Sequence, residues 1–287
     1  MRPEPDPDLG TLYLVPTPIG DPEDMTPRGV AVLRAVAVVA CEDTRNTKTL
    51  LAPLGVRARL VSYHEHNEET RGEQLLARLL DGEDVAVVSD AGTPLVNDPG
   101  FRLVASAIDA GVRVRPLPGA NAPVTALIGS GLPVHRFQYA GFLPRKSAAR
   151  RAALTGLAGA DATLIFFEAP HRLVETLTDM REVLGDRQAA AARNLTKSSE
   201  EFLRGPLSEL IDLLAGEDPV RGQFTLVVGG LDSSGADPAK ELAGKLATAL
   251  VAHGATARMA SDVIREVTGL PRNWVYDRVQ SVERAGK

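Results

Sequence analysis

Four times in the first 121 residues a short apolar run ends abruptly in a polar loop punctuated by glycine or proline. Val85 to Val88 is continuous and β-branched, the pattern of a strand buried on both faces, and it stops at Ser89-Asp90-Ala91-Gly92-Thr93-Pro94. Thr11 to Val15 ends in Pro16-Thr17-Pro18-Ile19-Gly20, Val36 to Cys41 in Glu42-Asp43-Thr44-Arg45, and Val112 to Leu117 in Pro118-Gly119-Ala120-Asn121. A shorter run, Arg59 to Ser62, leads into His64-Glu65-His66-Asn67-Glu68-Glu69. Helical stretches separate these runs. Thr26-Pro27 reads as cap and first residue of a helix to about Ala35. Others are expected near Asn46 to Leu54, over Thr70 to Leu80, from Pro99 to Ala110 with Asp98 as cap, and from Asn121 to Ser130. Strand–helix alternation of this kind predicts a mainly parallel α/β sheet. Its polar loops then share the edge where ligands bind. Any one of them is explained equally well as a βα turn, with Asp and Gly chosen for turn chemistry. Four on one edge favour a binding site.

From Gln138 to Arg151 the character shifts, and this stretch, with Arg145, Lys146, Arg150 and Arg151, is expected to link two domains. A second α/β unit follows: strands over Thr163 to Phe167, Gln188 to Arg193 and Gln223 to Val228, and helices over Arg172 to Leu184 and Pro206 to Ala215. Asp232 to Pro238 reads as a flexible linker to two or three helices, with Thr268 to Trp274 resembling the turn of a helix-turn-helix. The expected boundaries are a disordered Pro- and acid-rich tail over 1–10, domains over 11–137 and 138–231, and a helical segment over 239–287.

The single cysteine, Cys41, excludes an internal disulfide framework and suits a reducing cytoplasm. No apolar run approaches the roughly 20 residues of a membrane span, so no membrane partner is expected. A net charge of −5 makes any nucleic-acid contact local. Dinucleotide and Walker fingerprints, CxxC, HExxH and the Gly-x-Ser-x-Gly elbow are all absent. His64-x-His66 reads as a solvated or substrate-facing loop rather than a metal site, and Cys41 as a small core residue. Three acids at strand ends, Glu42, Asp43 and Asp90, suit a cationic or amine-bearing cofactor better than a polyphosphate.

Six motifs stand in register: Pro16-Thr17-Pro18-Ile19-Gly20, Glu42-Asp43-Thr44-Arg45, His64-Glu65-His66-Asn67-Glu68, Ser89 to Pro94, Asn97-Asp98-Pro99-Gly100 and Pro118-Gly119. With Gly141-Phe142-Leu143-Pro144 and Leu195-Thr196-Lys197, they make the chain from about Leu12 to Gly230 resemble the ribosomal-RNA-methylating branch of the tetrapyrrole methylase superfamily. The resemblance implies two α/β/α domains of the class III methyltransferase type, plus a small helical C-terminal segment. It implies S-adenosyl-L-methionine as methyl donor and the 2′-hydroxyl of a decoding-site cytidine in 16S rRNA of the small ribosomal subunit as acceptor. A cytoplasmic homodimer with the cofactor in the interdomain cleft is also implied. Carried over by position, Pro16, Gly20, Asp90, Ala91, Thr93, Pro94, Leu95, Asn121, Ala122, Phe167 and Asn194 would line the cofactor. The chain departs from the family pattern at Ala120-Asn121 and at Asn194, where relatives usually have Glu.

Methyl transfer to a hydroxyl needs an aligned acceptor and a group to take its proton. Candidates for that chemistry are Lys197, Glu42, Asp43 and Glu168, with Arg45, Arg145, Lys146 and Arg172 holding RNA phosphates. Each has a plainer role open to it. Glu42 or Asp43 can cap the following helix, Glu168 can pair with Arg172 across one turn, and Lys197 can be a solvated loop charge. Arg258, Arg265, Arg272 and Arg278 on the C-terminal helices read first as a solvated face. Competing functions are a tetrapyrrole or other small-molecule methylase of the same superfamily, and a non-enzymatic RNA-binding assembly factor.

Overall fold

The computed structural model describes residues 4–217, 219–231 and 238–285. They form two compact units, one with all the strands through Val228 and one with the C-terminal helices. In the larger unit the first elements are β1 (Thr11–Leu14), α1 (Pro27–Ala35), β2 (Val38–Cys41), α2 (Thr44–Leu51) and β3 (Leu60–Ser62). They continue with α3 (Glu68–Leu80), β4 (Val85–Val87), α4 (Phe101–Asp109), β5 (Arg113–Pro116) and α5 (Ala122–Ser130). The sheet order is β3-β2-β4-β1-β5 and every pairing is parallel, so all five strands end on one edge.

The apolar runs are continuous because both faces of this sheet are covered. Val38, Ala40, Val85 and Val87 point to one side, against Leu75 and Leu79 of α3 and Leu103 of α4. Val39, Cys41, Ala86 and Val88 point to the other, against Leu33 of α1 and Leu51 of α2. Cys41 is fully buried there, and burial pushes its thiol pKa up.

Two expectations are corrected in this half. The helix after β4 does not start at Pro99 with Asp98 as cap. Asn97 and Gly100 have φ of 74° and 132°, which no α-helix accommodates, so α4 starts at Phe101 with Gly100 as its N-cap. The Gly100 N–H instead donates to Glu68 Oε1 at 3.0 Å. The expected disordered tail is pinned over its second half. The Asp6 N–H donates to the Gly111 carbonyl at 3.0 Å, that of Gly10 to Leu79 at 2.8 Å, and Leu9 packs on the core.

The second sheet is built from β6 (Phe137–Phe142), β7 (Thr163–Glu168), β8 (Gln188–Arg193), β9 (Glu201–Pro206) and β10 (Phe224–Val228). Its helices are α6 (Ser147–Thr155), α7 (Leu173–Leu184) and α8 (Leu207–Ala215). The order is β6-β7-β10-β8-β9, with β6 parallel to β7 and the other pairs antiparallel. The stretch from Gln138 to Arg151, expected as a link, is therefore an edge strand followed by a helix. β9 has no counterpart among the expected strands. It is an edge strand carrying Glu201, Arg204 and a terminal Pro206, the composition that hides an edge from propensity. Phe202 faces α5, where a Cβ on Gly129 would lie 2.4 Å from its ring. Helix α5 follows β5 in the chain but packs its Ala126 and Leu127 on Ile165, Ala190 and Val227 of the second sheet. This contact ties the two sheets together.

The smaller unit contains α9 (Pro238–Ala252), α10 (Ala257–Thr268) and α11 (Arg272–Ala285) around Ala247, Ile264, Val275 and Val279. Gly269, at φ 68°, ends α10 in the left-handed conformation. Residues 232–237 of the expected linker lie outside the described residues. No described helix is long and apolar enough to cross a membrane.

Candidate active site

The strand-end loops of β4, β1 and β5 form one surface. Thr17 and Gly92 exchange both backbone hydrogen bonds at 2.9 Å, and the Ser89 hydroxyl donates to the Gly92 carbonyl at 2.7 Å. Gly92 has φ 89°, and Gly119 approaches so closely that a Cβ there would lie 2.7 Å from Pro16 Cβ. Gly20 presses on the turn after β8. A Cβ at Gly20 would stand 2.6 Å from the Leu195 carbonyl oxygen, and the Asp21 N–H donates to Thr196 Oγ1 at 2.9 Å. Pro16 and Gly20, expected at the cofactor, thus serve loop-to-loop packing.

Between these loops and the second sheet lies a cavity of about 340 Å³, within the size range of small-ligand sites. Ala91, Gly92, Thr93, Val96, Asn97 and Asp98 make one wall. Asn121, Ala122 and Pro123 open α5 at its base, and Phe142, Phe167 and Glu168 stand opposite, with Gln223 and Phe224 beside them. Of the expected cofactor residues, Ala91, Thr93, Asn121, Ala122 and Phe167 line it. Asn121 Oδ1 caps α5 by accepting from the Val124 N–H at 3.0 Å, while its Nδ2 donates to Thr93 Oγ1 at 3.2 Å. The Thr93 hydroxyl in turn donates to the Ala120 carbonyl at 2.8 Å, so this departure from the family pattern locks two loops together.

Asp90, Pro94, Leu95 and Asn194 do not line the cavity. Asp90 accepts from the Asp43 N–H at 3.2 Å and from Asn46 Nδ2 at 2.7 Å, clamping β4 to α2. Pro94 lines a small adjoining hollow with Glu42 and Asp98. Leu95 takes φ 69° and packs on Gly100, where a Cβ would meet its Cδ1 at 2.9 Å. Asn194, at φ 53°, accepts from the Gln223 N–H at 3.0 Å and donates to Ser199 Oγ at 3.1 Å. Asn tolerates the left-handed conformation far better than the usual Glu. All four described non-glycine residues with positive φ (Leu95, Asn97, Asn194, Thr196) lie in the two loops facing this site, where backbone strain concentrates functionally.

Asp98 is the residue that the sequence misassigned. Its carboxyl is pushed up to about 6, by burial first and then by Glu42 and Asp90. No hydrogen bond or ion pair reaches it among the described residues. The clue was Asn97-Asp98-Pro99-Gly100, a sequence as typical of turns as of helix starts. Beside it, the buried Tyr139 hydroxyl has no hydrogen-bond partner among the described residues and is raised to about 12, by burial and then by Asp98.

The four candidate proton carriers separate clearly. Asp43 is held down to about 2 by the hydrogen bonds it accepts from Arg45, whose Nη2 lies 2.7 Å away, and it caps α2. Glu168 is buried and fully engaged, accepting from Thr176 Oγ1 at 2.6 Å, the Ala169 N–H at 2.8 Å and Arg172 Nη2 at 3.2 Å. Lys197 Nζ donates to Gln223 Oε1 at 2.8 Å and so holds a cavity residue. Glu42 is exposed, makes no hydrogen bond among the described residues, and is raised by partial burial first, then by Asp90 and Glu65.

Of the expected phosphate ligands, Arg172 is turned inward, donating to the Leu143 carbonyl at 2.9 Å as well as to Glu168. Arg145 and Lys146 are exposed, and Arg45 is exposed but paired with Asp43. Arg150 and Arg151 pair with Asp179, Glu175 and Glu182. The His64 and His66 rings meet edge-on, their centroids 5.8 Å apart. The arrangement suits a small organic cation: flat apolar surface from Phe142, Phe167 and Phe224, backbone and amide groups, and an uncompensated carboxylate.

A family profile described as Tetrapyrrole (Corrin/Porphyrin) Methylases matches residues 11–211. The chain is 65% identical over 278 residues to a ribosomal RNA small subunit methyltransferase I of Micromonospora olivasterospora, covering 96% of this chain and 89% of the relative. It is 53% identical over 223 residues to the protein of that name from Halalkalibacterium halodurans, covering 78% and 77% of the two chains. A crystal structure of uroporphyrin-III C-methyl transferase from Thermus thermophilus, complexed with S-adenyl homocysteine, superposes with a TM-score of 0.54 at 23% identity, covering 77% of this chain and 97% of that one.

Proposed function

Because the chain belongs to the ribosomal RNA small subunit methyltransferase I family of tetrapyrrole methylases, we propose that it methylates a ribose 2′-hydroxyl, that of a decoding-site cytidine in 16S rRNA, from S-adenosyl-L-methionine. The acceptor is the RNA of the small ribosomal subunit, and the protein works as a cytoplasmic homodimer. The observation that carries the reading is the cavity at the strand ends, with aromatic surface on one side and the unpartnered Asp98 on the other.

The residues present fit that cofactor. Asp98 lacks a counter-ion and is destabilised by its acidic neighbours, so an ammonium or sulfonium group nearby would relieve it. Phe142, Phe167 and Ile19 offer apolar surface to a purine, and Ala91, Gly92 and Thr93 let backbone approach closely. When bound, S-adenosylmethionine supplies a methyl group on a positively charged sulfur. The chain must then align a hydroxyl and take its proton.

We assign the proton to Glu42. It shares the hollow with Asp98, its carboxylate carries no partner, and its raised pKa makes it a better base at neutral pH than an ordinary Glu. Asp43 is too acidic for the task. Glu168 and Lys197 are positioning residues, the first fixing Arg172 and the second Gln223. Arg145, Lys146 and Arg45 remain the contacts to phosphate. Glu42→Gln is expected to lower kcat by about 100-fold and to leave cofactor affinity within about twofold; single-turnover methylation together with calorimetry checks both.

The reading as a whole is tested by mapping ribose methylation in 16S rRNA from cells with and without this protein, alongside thermal shift with S-adenosylmethionine. A missing 2′-O-methyl cytidine in the deletion strain is the expected result. Cofactor binding without any rRNA methylation change would move the assignment to a small-molecule methylase. Absence of cofactor binding would leave an RNA-binding assembly factor.

A further inference from the structure

The chain carries a net charge of −5, yet from Thr44 to His64 it contains Arg45, Lys48, Arg57 and Arg59 and no acidic residue. Folding gathers three of these cations. Thr44, Arg45, Lys48 and Leu51 share one face of α2, continued by its C-cap Ala52, and the segment from Gly55 to Leu60 returns beside it. Together they line an open groove bearing Arg45, Lys48 and Arg57. Gly55, at φ 65°, makes the reversal that brings Arg57 back alongside the helix.

Two features mark this groove. Its cations are available: Lys48 and Arg57 are exposed and make no side-chain hydrogen bond or ion pair among the described residues, and Arg45 has only its surface pair with Asp43. Exposed pairs of that kind are weak and yield to a stronger anion. Arg150 and Arg151, by contrast, are neutralised by acids of α7. The groove also starts beside the strand-end loops that frame the site. The first turn of α2 is clamped to the β4 loop by the Asp43–Asp90 and Asn46–Asp90 hydrogen bonds. From there α2 runs back along the flank for roughly 12 Å.

We propose that this groove binds the phosphate backbone of the RNA substrate, with Lys48 and Arg57 as contacts beyond Arg45. It guides the strand toward the strand-end cavity and rests on the rRNA reading above. Phosphate contacts of this kind position the nucleic acid without reading its sequence.

The test compares the full-length wild type, Lys48→Ala/Arg57→Ala, and Arg113→Ala/Arg115→Ala, which removes the same charge from exposed positions of β5. Binding to 16S rRNA is measured from 50 to 200 mM salt, with methylation kinetics on small ribosomal subunits and calorimetry with S-adenosylmethionine. For the groove variant, RNA affinity should fall about tenfold, and the slope of log affinity against log salt should flatten by about 1 to 2. KM for the subunit should rise, with kcat and cofactor affinity within twofold of wild type. An unchanged affinity and slope overturn the proposal, as does an equal loss in the β5 variant, which would reveal only a response to net charge. A wild type that neither binds nor methylates 16S rRNA defeats the rRNA reading itself, and the groove assignment with it. That failure differs visibly from a groove variant matching an active wild type.

Discussion

Replacing Asp98 by Asn is expected to make the protein more stable and, at the same time, to weaken its hold on the cofactor. The carboxyl is pushed up to about 6 by burial and by Glu42 and Asp90. The folded chain thus binds this proton more tightly than the unfolded chain does. Stability contributed by the group is present below the unfolded carboxylate range, is lost as pH climbs to about 6, and stays lost above it. Asn keeps the shape and removes the charge, so the cofactor-free Tm at pH 7.5 should rise by about 3–5 °C. Wild type should gain a further few degrees from S-adenosylmethionine at roughly 100 times Kd, and the variant at the same concentration clearly less. A charged contact of this kind accounts for about 10- to 100-fold in affinity. Wild-type binding should also weaken as pH drops through 6, while the residual binding of Asp98→Asn should be flat across that range. Scanning calorimetry and titration calorimetry from pH 5 to 8 read all of this. An unchanged Kd in the variant would remove Asp98 from the cofactor site.

Arg150→Ala should instead destabilise severely without touching the chemistry. The Arg150 side chain is 0% exposed, with Nε 2.6 Å from Asp179 Oδ2 and Nη2 2.7 Å from Glu175 Oε1, and the Ser147 hydroxyl also donates to Asp179. Removing the guanidinium leaves Asp179, 8% exposed, as a buried charge held only by the Ser147 hydroxyl and by Arg151 at 3.5 Å. Losses from breaking such pairs run to about 3–5 kcal/mol, or a fall in Tm of about 10 °C for a chain this size. The control is Arg150→Met combined with Asp179→Leu. Removing both charges should recover most of the loss, since the penalty comes from the under-compensated buried carboxylate rather than from the absent bond. In the sequence Arg150 and Arg151 stand beside Arg145 and Lys146 as a basic cluster ready for phosphate. In the fold, α6 packs on α7 and turns that pair to the acids there. RNA affinity measured on folded Arg150→Ala should therefore match wild type.

The contrast between Arg150 and Lys48 explains why charge was hard to read along the chain. A cation's availability depends on whether an acid from another element reaches it, and Asp179 is 29 residues from Arg150. Propensity and pattern carried most of the architecture, because they act over neighbours. The β-branched runs at 36–41 and 85–88, the Thr26-Pro27 cap and the glycine stops specify a buried parallel sheet. Where a local signal had two meanings, the wrong one could be chosen. Asn-Asp-Pro-Gly at 97–100 served as a turn, not a helix start, once Asn97 and Gly100 took positive φ. β9 carries its charges as an edge strand and so lacked the signature of the central strands.

The same division holds at the site that the polar loops announced. Sequence alone determined that these loops gather on one sheet edge, since strand–helix alternation with parallel pairing leaves no other arrangement. It also determined the family, through six motifs in order. Only the tertiary structure decided which loop residues face the cavity. Asp90, the most prominent acid of the Ser89-to-Pro94 stretch, is turned outward by Asn46 and the Asp43 N–H, and Asp98 takes its place inside. The direction of a side chain depends on backbone dihedrals and on donors brought from distant segments, and neither is encoded in the spacing of residue types.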